Sequence, residues 1–390
     1  MISIEKKSRC SGCHACANAC PQNCIRMLSD EEGFLYPQVN KEKCIDCGLC
    51  EKTCPIIHTW WSDDSRTTTA IAAINQNENI RLRSSSGGIF TLIAEEILNQ
   101  GGVVFGAAFD DDFKSVHHIF VDNTDDLEKL QGSKYVQSKI GDTYKQAEDY
   151  LEGGRKVLFT GTPCQIGGLY SYLKKPYNNL LTQDIICHGV PSPMVWEKYV
   201  EERERKADAK THRLFFRHKK YGWKTFSVLF EFSNNTVYVK NLLEDSFMRA
   251  FLSNSCLRPS CHECSFKSIK RQADITLADF WGVQDVLHDM DDDKGTSLVL
   301  IHSERGQELV KEIMPSIRME SVAIEVLSKH NSAANHSAEL SQYRSEYMKR
   351  VISESPDKLA SEYFKIPIKR KIRLFFIKTG LMKIIKKRFR

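Results

Sequence analysis

The chain of 390 residues is 41% hydrophobic and 27% charged, which is ordinary for a globular protein and leaves room for two or three domains. No run of about 18 apolar residues is present, and the N-terminus lacks the apolar stretch of a signal peptide. We therefore expect a cytoplasmic protein without a transmembrane helix. Residues 365–390 contain eleven Lys or Arg and no acid, and the remaining chain has a net charge of −6. The basic balance thus belongs to the C-terminal segment, and we expect no nucleic-acid partner.

Fourteen cysteines in a long chain without a signal peptide favour metal binding over disulfides. Eight of them form two Cys-x2-Cys-x2-Cys-x3-Cys-Pro runs, which begin at Cys10 and Cys44. This is the spacing of bacterial two-cluster ferredoxins, in which the fourth cysteine of each run binds the other cluster. We predict one 4Fe–4S cluster on Cys10, Cys13, Cys16 and Cys54, and a second on Cys44, Cys47, Cys50 and Cys20. The alternative is a pair of zinc sites, but zinc favours paired Cys-x2-Cys units. Cys24 lies outside both runs and is predicted to be a small buried residue.

The cysteine-rich module occupies residues 1–58, and residues 59–69 have no clear periodicity and predict a linker. From residue 70 onward, strands alternate with helices. The predicted strands are 70–74, 103–109, 157–160, 180–186, 227–232, 274–277 and 297–302, and the predicted helices are 89–99, 143–151, 165–173, 194–206 and 305–314. The pattern predicts an α+β protein, with a small bacterial-type ferredoxin domain followed by a larger mixed α/β domain. It does not predict the order of the strands.

Residues 336–390 are predicted to form a helical, basic tail. Near its end the apolar residues are close to helical spacing, although a glycine interrupts them: Ile372, Phe375, Phe376, Ile384 and Ile385. A basic amphipathic helix can lie on an anionic membrane, where each Lys or Arg contributes about 1 kcal/mol. Peripheral contact with the inner membrane surface is one expectation for this tail. A solvated segment or a partner-binding helix is the alternative.

Residues 84–88 read Ser-Ser-Ser-Gly-Gly immediately before the predicted helix 89–99. Serines that cap a helix, followed by glycines that permit close backbone approach, predict an anion site at the helix N-terminus. Arg81 and Arg83 add positive charge nearby. The functional interpretation is a site for the phosphate or ring of a flavin, and the alternative is an ordinary capped helix.

The cysteines outside the first module include a second candidate for metal binding. Cys261 and Cys264 form a Cys-x2-Cys pair, which is half of a metal site and needs two more ligands. Cys164 follows the predicted strand 157–160 at a strand–turn–helix junction, and a lone buried cysteine at such a position is usually inert. The available thiols for the missing ligands are Cys164, Cys187 and Cys256.

These patterns together resemble the beta-subunit family of coenzyme F-420 hydrogenases and dehydrogenases, joined to a two-cluster ferredoxin. The resemblance rests on five stretches that occur in order. They are Ser-Ser-Gly-Gly at 85–88, Gly-Ser-Lys-Tyr-Val-Gln-Ser at 132–138, Gly-Thr-Pro-Cys-Gln-Ile at 161–166, Ile-Cys-His-Gly-Val-Pro-Ser-Pro at 186–193, and the block 261–282. The resemblance implies a flavin-binding N-terminal domain at 70–152 and a C-terminal flavin and iron–sulfur domain at 153–335.

The resemblance also implies cofactors for these two domains. A third 4Fe–4S cluster would be held by Cys164, Cys187, Cys261 and Cys264, with Cys256 as a reserve ligand. A bound FAD would lie against Ser85, Ser86, Gly87, Gly88, Lys134 and Tyr135. Local chemistry at these residues permits the assignments, which come from the resemblance.

The implied function is an oxidoreductase in which electrons pass between the ferredoxin clusters, the third cluster and FAD. The partner substrate would be coenzyme F-420 or another small metabolite, including a polysaccharide precursor. A redox protein or a small molecule would donate or accept the electrons. The alternative is a non-catalytic electron-relay subunit of a larger redox complex. No catalytic residue is identified; His188 and Asp279 are candidate proton donors, and both can equally serve to support the cluster.

Overall fold

The computed structural model describes residues 1–58 and 67–378. The predicted linker 59–69 therefore lies largely outside the described residues, as do residues 379–390 of the predicted tail. The described part of the chain contains a two-stranded hairpin, a three-stranded sheet and an eight-stranded sheet.

The N-terminal module is small and has a core built mainly of cysteines. Its elements are α1 (Ala15–Asn18), β1 (Ile25–Ser29), β2 (Leu35–Val39) and α2 (Leu49–Lys52). A residue in the left-handed region precedes each helix, His14 before α1 and Gly48 before α2, so the two cysteine runs share one backbone turn. The buried cluster combines Ile2 and Ile25 with the thiols of four cysteines. With so little apolar core, the module is expected to fold only together with its metal.

Eleven strands follow in the described chain. They are β3 (Thr69–Asn75), β4 (Val103–Phe109), β5 (Val116–Val121), β6 (Val157–Thr160), β7 (Leu180–Ile185), β8 (Thr211–His218), β9 (Ser227–Phe232), β10 (Val237–Asn241), β11 (Ile275–Asp279), β12 (Ser297–Ile301) and β13 (Ile317–Val322). The large sheet has the order β13-β3-β12-β11-β7-β6-β4-β5. Its central strands β11, β7, β6 and β4 are parallel, and the outer strands are antiparallel to their neighbours. Parallel strands covered on both faces read as continuous apolar runs, which is why β6 was predictable from the sequence.

Helices cover both faces of the large sheet. The helices after the first module are α3 (Glu78–Arg83), α4 (Ile89–Asn99), α5 (Thr143–Glu152), α6 (Pro163–Leu173), α7 (Pro193–Ala207), α8 (Ser246–Leu252), α9 (Val283–Val286), α10 (Glu304–Ile313), α11 (Val326–His330), α12 (Arg344–Arg350), α13 (Pro356–Tyr363) and α14 (Ile368–Lys378). α4 and α10 share a core with Val104 and Leu158 on one face, and α5 and α6 share another with Phe105 and Phe159. Every strand and helix predicted between residues 70 and 314 is confirmed, with small differences at the ends.

The large sheet draws strands from both predicted segments of the body, 70–152 and 153–335. β4 from the first pairs in parallel with β6 from the second, with Val104 opposite Leu158. β3 from the first segment lies between β12 and β13 of the second. The boundary predicted at residue 152 therefore falls inside one continuous sheet.

A second core lies around the three-stranded sheet β10-β9-β8. It is rich in buried aromatic residues, including Trp196 on α7 and Phe230 on β9, which stack against each other. Tyr347 of α12 and Leu359 of α13 are fully buried in the same core. The prediction that all of 336–390 forms a tail is therefore wrong for α12 and α13, because their apolar faces complete this core.

The last described helix, α14, agrees with the predicted helical part of the basic tail. Among residues 1–58 and 67–378, no helix is both long enough and apolar enough to cross a membrane. Contact of this segment with a membrane surface stays a prediction.

Arg258 joins the N-terminal module to the body. Its side chain is fully buried, and its guanidinium donates hydrogen bonds to the carbonyl oxygens of Cys10 (2.8 Å) and Leu35 (2.9 Å) and to Gln137 Oε1 (2.9 Å). It also lies over the ring of Tyr36, 4.3 Å from the centroid. A planar guanidinium has five donors in a fixed fork, which suits it to hold several backbone segments at once. The module is thereby fixed against the loop that carries Cys261.

Candidate functional site

Four cysteines from three regions of the body line one cavity of about 580 Å³. Cys164 lies in the first turn of α6, Cys187 follows β7, and Cys261 and Cys264 precede β11. α6 begins here because Thr162 and Gln165 form a capping box and Pro163 occupies the first turn. β6 and β7 are parallel neighbours, so the residues after their carboxyl ends meet at one edge of the sheet. The four cysteines predicted from the family resemblance therefore lie around a common space.

The same cavity touches the N-terminal module. Ser11, next to Cys10, and Ile56, two residues after Cys54, lie in its wall. Cys256, the reserve ligand, lies instead in the second core, where it is fully buried. The cavity thus sits at the junction between the body and the first predicted ferredoxin cluster.

Burial opposes thiolate formation in this cavity, and positive groups offset it. Burial raises the pKa of the Cys164 thiol and the pKa of the Cys187 thiol, and it raises the pKa of Cys261 to about 12. Lys267 and Arg271 act in the other direction and lower the pKa of Cys187. The backbone N–H of Val190 is 3.4 Å from Cys261 Sγ. Cations and N–H groups directed at the sulfur atoms are what a buried, negatively charged iron–sulfur cluster requires.

The eight cysteines of the N-terminal module fall into two crossed groups. Cys20 lines a cavity of about 350 Å³ with Cys44, Cys47 and Cys50, so the fourth thiol of the first run lies with the second run. Burial raises the pKa of Cys13 to about 12, and Cys10 and Cys54 raise it further, so Cys54 lies with the first run. Backbone N–H groups point at Sγ atoms here too, such as that of Ile2 at Cys50 (3.3 Å). This is the crossed arrangement that the two-cluster spacing predicts.

Cys24 is buried, as predicted, but its thiol is close to a predicted ligand. Its Sγ is 3.3 Å from Sγ of Cys20, and both residues line the 350 Å³ cavity. Within residues 1–58 and 67–378, no group of three or more His, Cys, Asp or Glu side chains is arranged to hold a single metal ion.

The predicted flavin loop meets the second predicted flavin segment directly. Ser85 Oγ accepts hydrogen bonds from the backbone N–H (2.7 Å) and the hydroxyl (2.8 Å) of Ser133, the residue before Lys134. Tyr135 stacks on Phe251, and its hydroxyl accepts from Arg217 at 3.3 Å. Two motifs that are far apart in sequence therefore form one surface.

The prediction that serines cap α4 is wrong. The N-cap is Gly88, at a φ of 85°, and no side chain caps the helix. Ser86 Oγ instead donates to the carbonyl of Thr296 (2.9 Å), and the N–H of Gly87 donates to Ser297 Oγ (2.9 Å). A Cβ on Gly87 would lie 2.4 Å from the carbonyl oxygen of Ala73, so this glycine allows the loop to pack tightly on β3.

Several cations surround this loop, and two of them were not predicted. Arg217 NH2 lies 3.4 Å from the carbonyl oxygen of Ser85, and Lys219 Nζ donates to the carbonyl of Ser86 at 2.8 Å. Burial lowers the pKa of Lys134 to about 7, and burial together with Arg217 lowers the pKa of Lys219 to about 7. Residues 217–220 read Arg-His-Lys-Lys in the sequence, which is indistinguishable there from an ordinary exposed basic stretch.

The two candidate proton donors lie in different places. Asp279 belongs to the flavin-loop surface, where its Oδ1 accepts from Arg217 (2.9 Å) and from the indole of Trp223 (2.8 Å). His188 lines the four-cysteine cavity, and its Nε2 is 2.7 Å from Asn254 Oδ1. Burial lowers the pKa of His188, so the ring is neutral near pH 7. Only His188 is placed to support a cluster in the cavity.

A dicluster ferredoxin module fixed to an α/β body through a cysteine-lined cavity defines an iron–sulfur electron-transfer protein. Three family descriptions match the sequence: "4Fe-4S dicluster domain" at residues 9–56, "Coenzyme F420 hydrogenase/dehydrogenase, beta subunit N-term" at 70–143, and the C-terminal description of the same beta-subunit family at 154–326. The chain belongs to the coenzyme F420 hydrogenase/dehydrogenase beta-subunit family, with a dicluster ferredoxin domain at its N-terminal end.

Among individual proteins, the chain is similar to the coenzyme F420-dependent sulfite reductase of Methanocaldococcus jannaschii, with 26% identity over 191 residues, which are 47% of this chain and 28% of that protein. It is also similar to a ferredoxin of Mycolicibacterium smegmatis, with 36% identity over 50 residues, covering 13% of this chain and 42% of the ferredoxin. It thus spans less than half the length of these two curated relatives. A chain of the F420-reducing NiFe hydrogenase complex from Methanosarcina barkeri aligns with a TM-score of 0.45 and 18% identity, covering 77% of this chain and 94% of that one.

Proposed function

We propose that the protein is an iron–sulfur flavoprotein oxidoreductase that passes electrons between its ferredoxin clusters and a bound FAD through a third 4Fe–4S cluster. Coenzyme F-420 or another small metabolite would be the partner substrate. The observation that carries the proposal is the four-cysteine cavity, whose wall includes residues beside Cys10 and Cys54 of the ferredoxin module. A cluster there would lie next to the first ferredoxin cluster and inside the flavin-binding body.

The thiols fit the proposed cluster in number and surroundings. Cys164, Cys187, Cys261 and Cys264 supply four sulfur ligands, and Lys267 supplies a positive charge at the wall of the cavity. Bound iron–sulfur clusters transfer single electrons, whereas a flavin transfers a hydride or single electrons, so the pair converts one kind of transfer into the other. Cys47, in the second ferredoxin group, is exposed, which allows a redox partner to approach that end of the module.

The flavin-loop surface fits an anionic cofactor. Arg217 is buried, and its Nε has no hydrogen-bond partner among the described residues, so a donor there is available for a phosphate. Lys134, Lys219 and the loop 85–88 would hold the diphosphate of FAD, and Tyr135 would pack beside it. Asp279 would act here by keeping Arg217 in position rather than by transferring a proton.

FAD affinity is expected to fall as the pH rises from 6 to 8. Lys134 and Lys219, each with a pKa lowered to about 7, are charged below that pH and lose their charge above it. A phosphate bound by a charged donor gains about 1 kcal/mol over a neutral one, so we expect the Kd of FAD to rise about five-fold for each lysine that becomes neutral. Quenching of flavin fluorescence during titration of the flavin-free protein measures the Kd.

In that experiment Lys134→Arg should remove the part of the pH dependence that comes from residue 134, because arginine stays charged. The matched control is Lys129→Arg, since Lys129 lies on the same segment but is exposed and paired with Asp126. The same pH dependence in both variants and in the wild type would contradict the role of Lys134.

Cofactor analysis tests the proposed function as a whole. Protein purified and reconstituted without oxygen should contain about 12 iron and about 12 sulfide per chain, as three 4Fe–4S clusters require, and about one FAD. Reduced ferredoxin or reduced coenzyme F-420 should then reduce both the clusters and the flavin in the isolated chain. Absence of flavin after reconstitution would overturn the flavoprotein proposal. Turnover of F-420 without a second protein would exclude the alternative of a pure electron relay.

A further inference from the structure

Arg271 and Asp184 form a buried ion pair at the wall of the four-cysteine cavity. Arg271 lines the cavity, its NH1 is 3.6 Å from Asp184 Oδ2, and the two side chains are only 3% and 2% exposed. Arg271 NH1 donates to the carbonyl of Phe266 (3.3 Å), but its Nε and NH2 have no hydrogen-bond partner among the described residues. Buried guanidinium nitrogens are almost always satisfied, so two free ones at a cavity wall indicate that a further anionic group belongs there.

Asp184 also begins a chain of hydrogen-bonding side chains that leads away from the cavity. Its Oδ1 accepts from the hydroxyl of Thr276, whose Oγ1 is 2.9 Å from Nε2 of His302. Nδ1 of His302 is 2.9 Å from Oγ1 of Thr68. Asp184, Thr276 and His302 are buried, whereas Thr68 is partly exposed. Hydroxyl and imidazole groups can both donate and accept, so this chain can carry a proton between the surface and the buried carboxylate.

We infer that Asp184 binds one proton when a cluster in the four-cysteine cavity accepts one electron. The inference rests on the proposed function, because it requires that cluster. The electron comes from the ferredoxin clusters, and the proton comes from solvent through the Thr68–His302–Thr276 chain. The cluster gains one negative charge, and the Asp184 carboxylate becomes a neutral carboxylic acid. The net charge of this buried region is therefore the same before and after reduction.

The electrostatics of the pair favour this exchange. Burial raises the pKa of Asp184 to about 6, and Arg271 and the hydrogen bond from Thr276 limit the rise. A negative charge added to the cavity raises the pKa further, because like charges in a low-dielectric interior repel strongly. Below about pH 6 the carboxyl is already protonated in the oxidised protein, so proton uptake accompanies reduction only above that pH. The ionisable groups on the elements around Asp184 are Arg271, Lys267, Asp274 and His302.

Potentiometric titration of the full, reconstituted chain at pH 6.5, 7.5 and 8.5 tests the inference, with the electron paramagnetic resonance signal of the third cluster as the readout. One proton per electron means that a tenfold change in proton concentration shifts the potential by about 59 mV, so the potential should fall by that amount per pH unit. Asp184→Asn should make the potential independent of pH. Asp245→Asn is the matched control, since Asp245 is also buried with a raised pKa but lies in the second core; it should keep the wild-type slope.

A second measurement needs no variant to fold. The infrared difference spectrum of the wild-type protein, reduced minus oxidised, should gain the carbonyl stretch of a protonated carboxylic acid at pH 7.5. A pH-independent potential together with no such band overturns the inference while the cluster itself stands. An iron content of about 8 per chain, the amount that the ferredoxin module alone can hold, overturns both the inference and the proposed third cluster.

Discussion

Cys261→Ala should reduce the iron content from about 12 to about 8 per chain, because one 4Fe–4S cluster loses a ligand while the two ferredoxin clusters keep theirs. Cys261 lines the four-cysteine cavity and has no role in either group of the N-terminal module. Reduction of the flavin by reduced ferredoxin should slow about 100-fold or more, since even indirect changes around a metal cost 10- to 100-fold. Iron and sulfide analysis and stopped-flow absorbance of the flavin measure the two effects.

Cys256→Ala is the matched control for this variant. Cys256 is as deeply buried as a ligand would be, but it lies in the second core and lines neither cysteine cavity. Removal of one sulfur from that core costs about 1 kcal/mol of stability and should leave about 12 iron in place. If Cys256→Ala loses four iron and Cys261→Ala does not, the ligand set of the third cluster has been assigned wrongly.

The sequence was informative wherever the chemistry is local. The two cysteine runs predict the N-terminal module because the spacing of three thiols matches one face of a cubane. The central strands were predictable as well, since strands such as β6 are buried on both faces and read as unbroken apolar runs. β13, which was not predicted, lies at the edge of the large sheet and alternates Arg318 and Glu320 with less exposed residues, so its apolar pattern is weak.

What could not be predicted depends on contacts between distant parts of the chain. Arg217 reaches the flavin loop only because β8 ends beside Ser85, and nothing in the order of residues gives that approach. The capping role of the serines was wrong for a similar reason: Ser86 and Gly87 are bound by Thr296 and Ser297 of a distant strand rather than by their own helix. Family resemblance supplied the pairing of Cys164 with Cys261, which local spacing alone left open.

Arg258→Met should destabilise the protein by roughly 3–5 kcal/mol, the second large effect that the structure predicts. The substitution keeps most of the side-chain volume but leaves the carbonyl oxygens of Cys10 and Leu35 buried without donors, and each hydrogen bond from a charged group contributes about 1.5–3 kcal/mol. Arg258 also forms the turn that carries Cys261, since the N–H of Cys261 donates to its carbonyl (2.9 Å). One side chain thus sets the position of the ferredoxin module relative to the four-cysteine cavity.

Arg350→Met is the matched control, because Arg350 makes more ion pairs than Arg258 but makes them at the surface with Glu354 and Glu362. Exposed ion pairs contribute about 0–1 kcal/mol each, so this variant should unfold close to the wild type. Denaturation followed by cluster absorbance and by tryptophan fluorescence distinguishes the effects: in Arg258→Met the cluster signal should be lost first. Arg258→Lys should stay closer to Arg258→Met than to the wild type, because a single ammonium cannot replace three donors on a planar fork. If all three variants lose stability equally, the buried guanidinium does not hold the two parts of the molecule together.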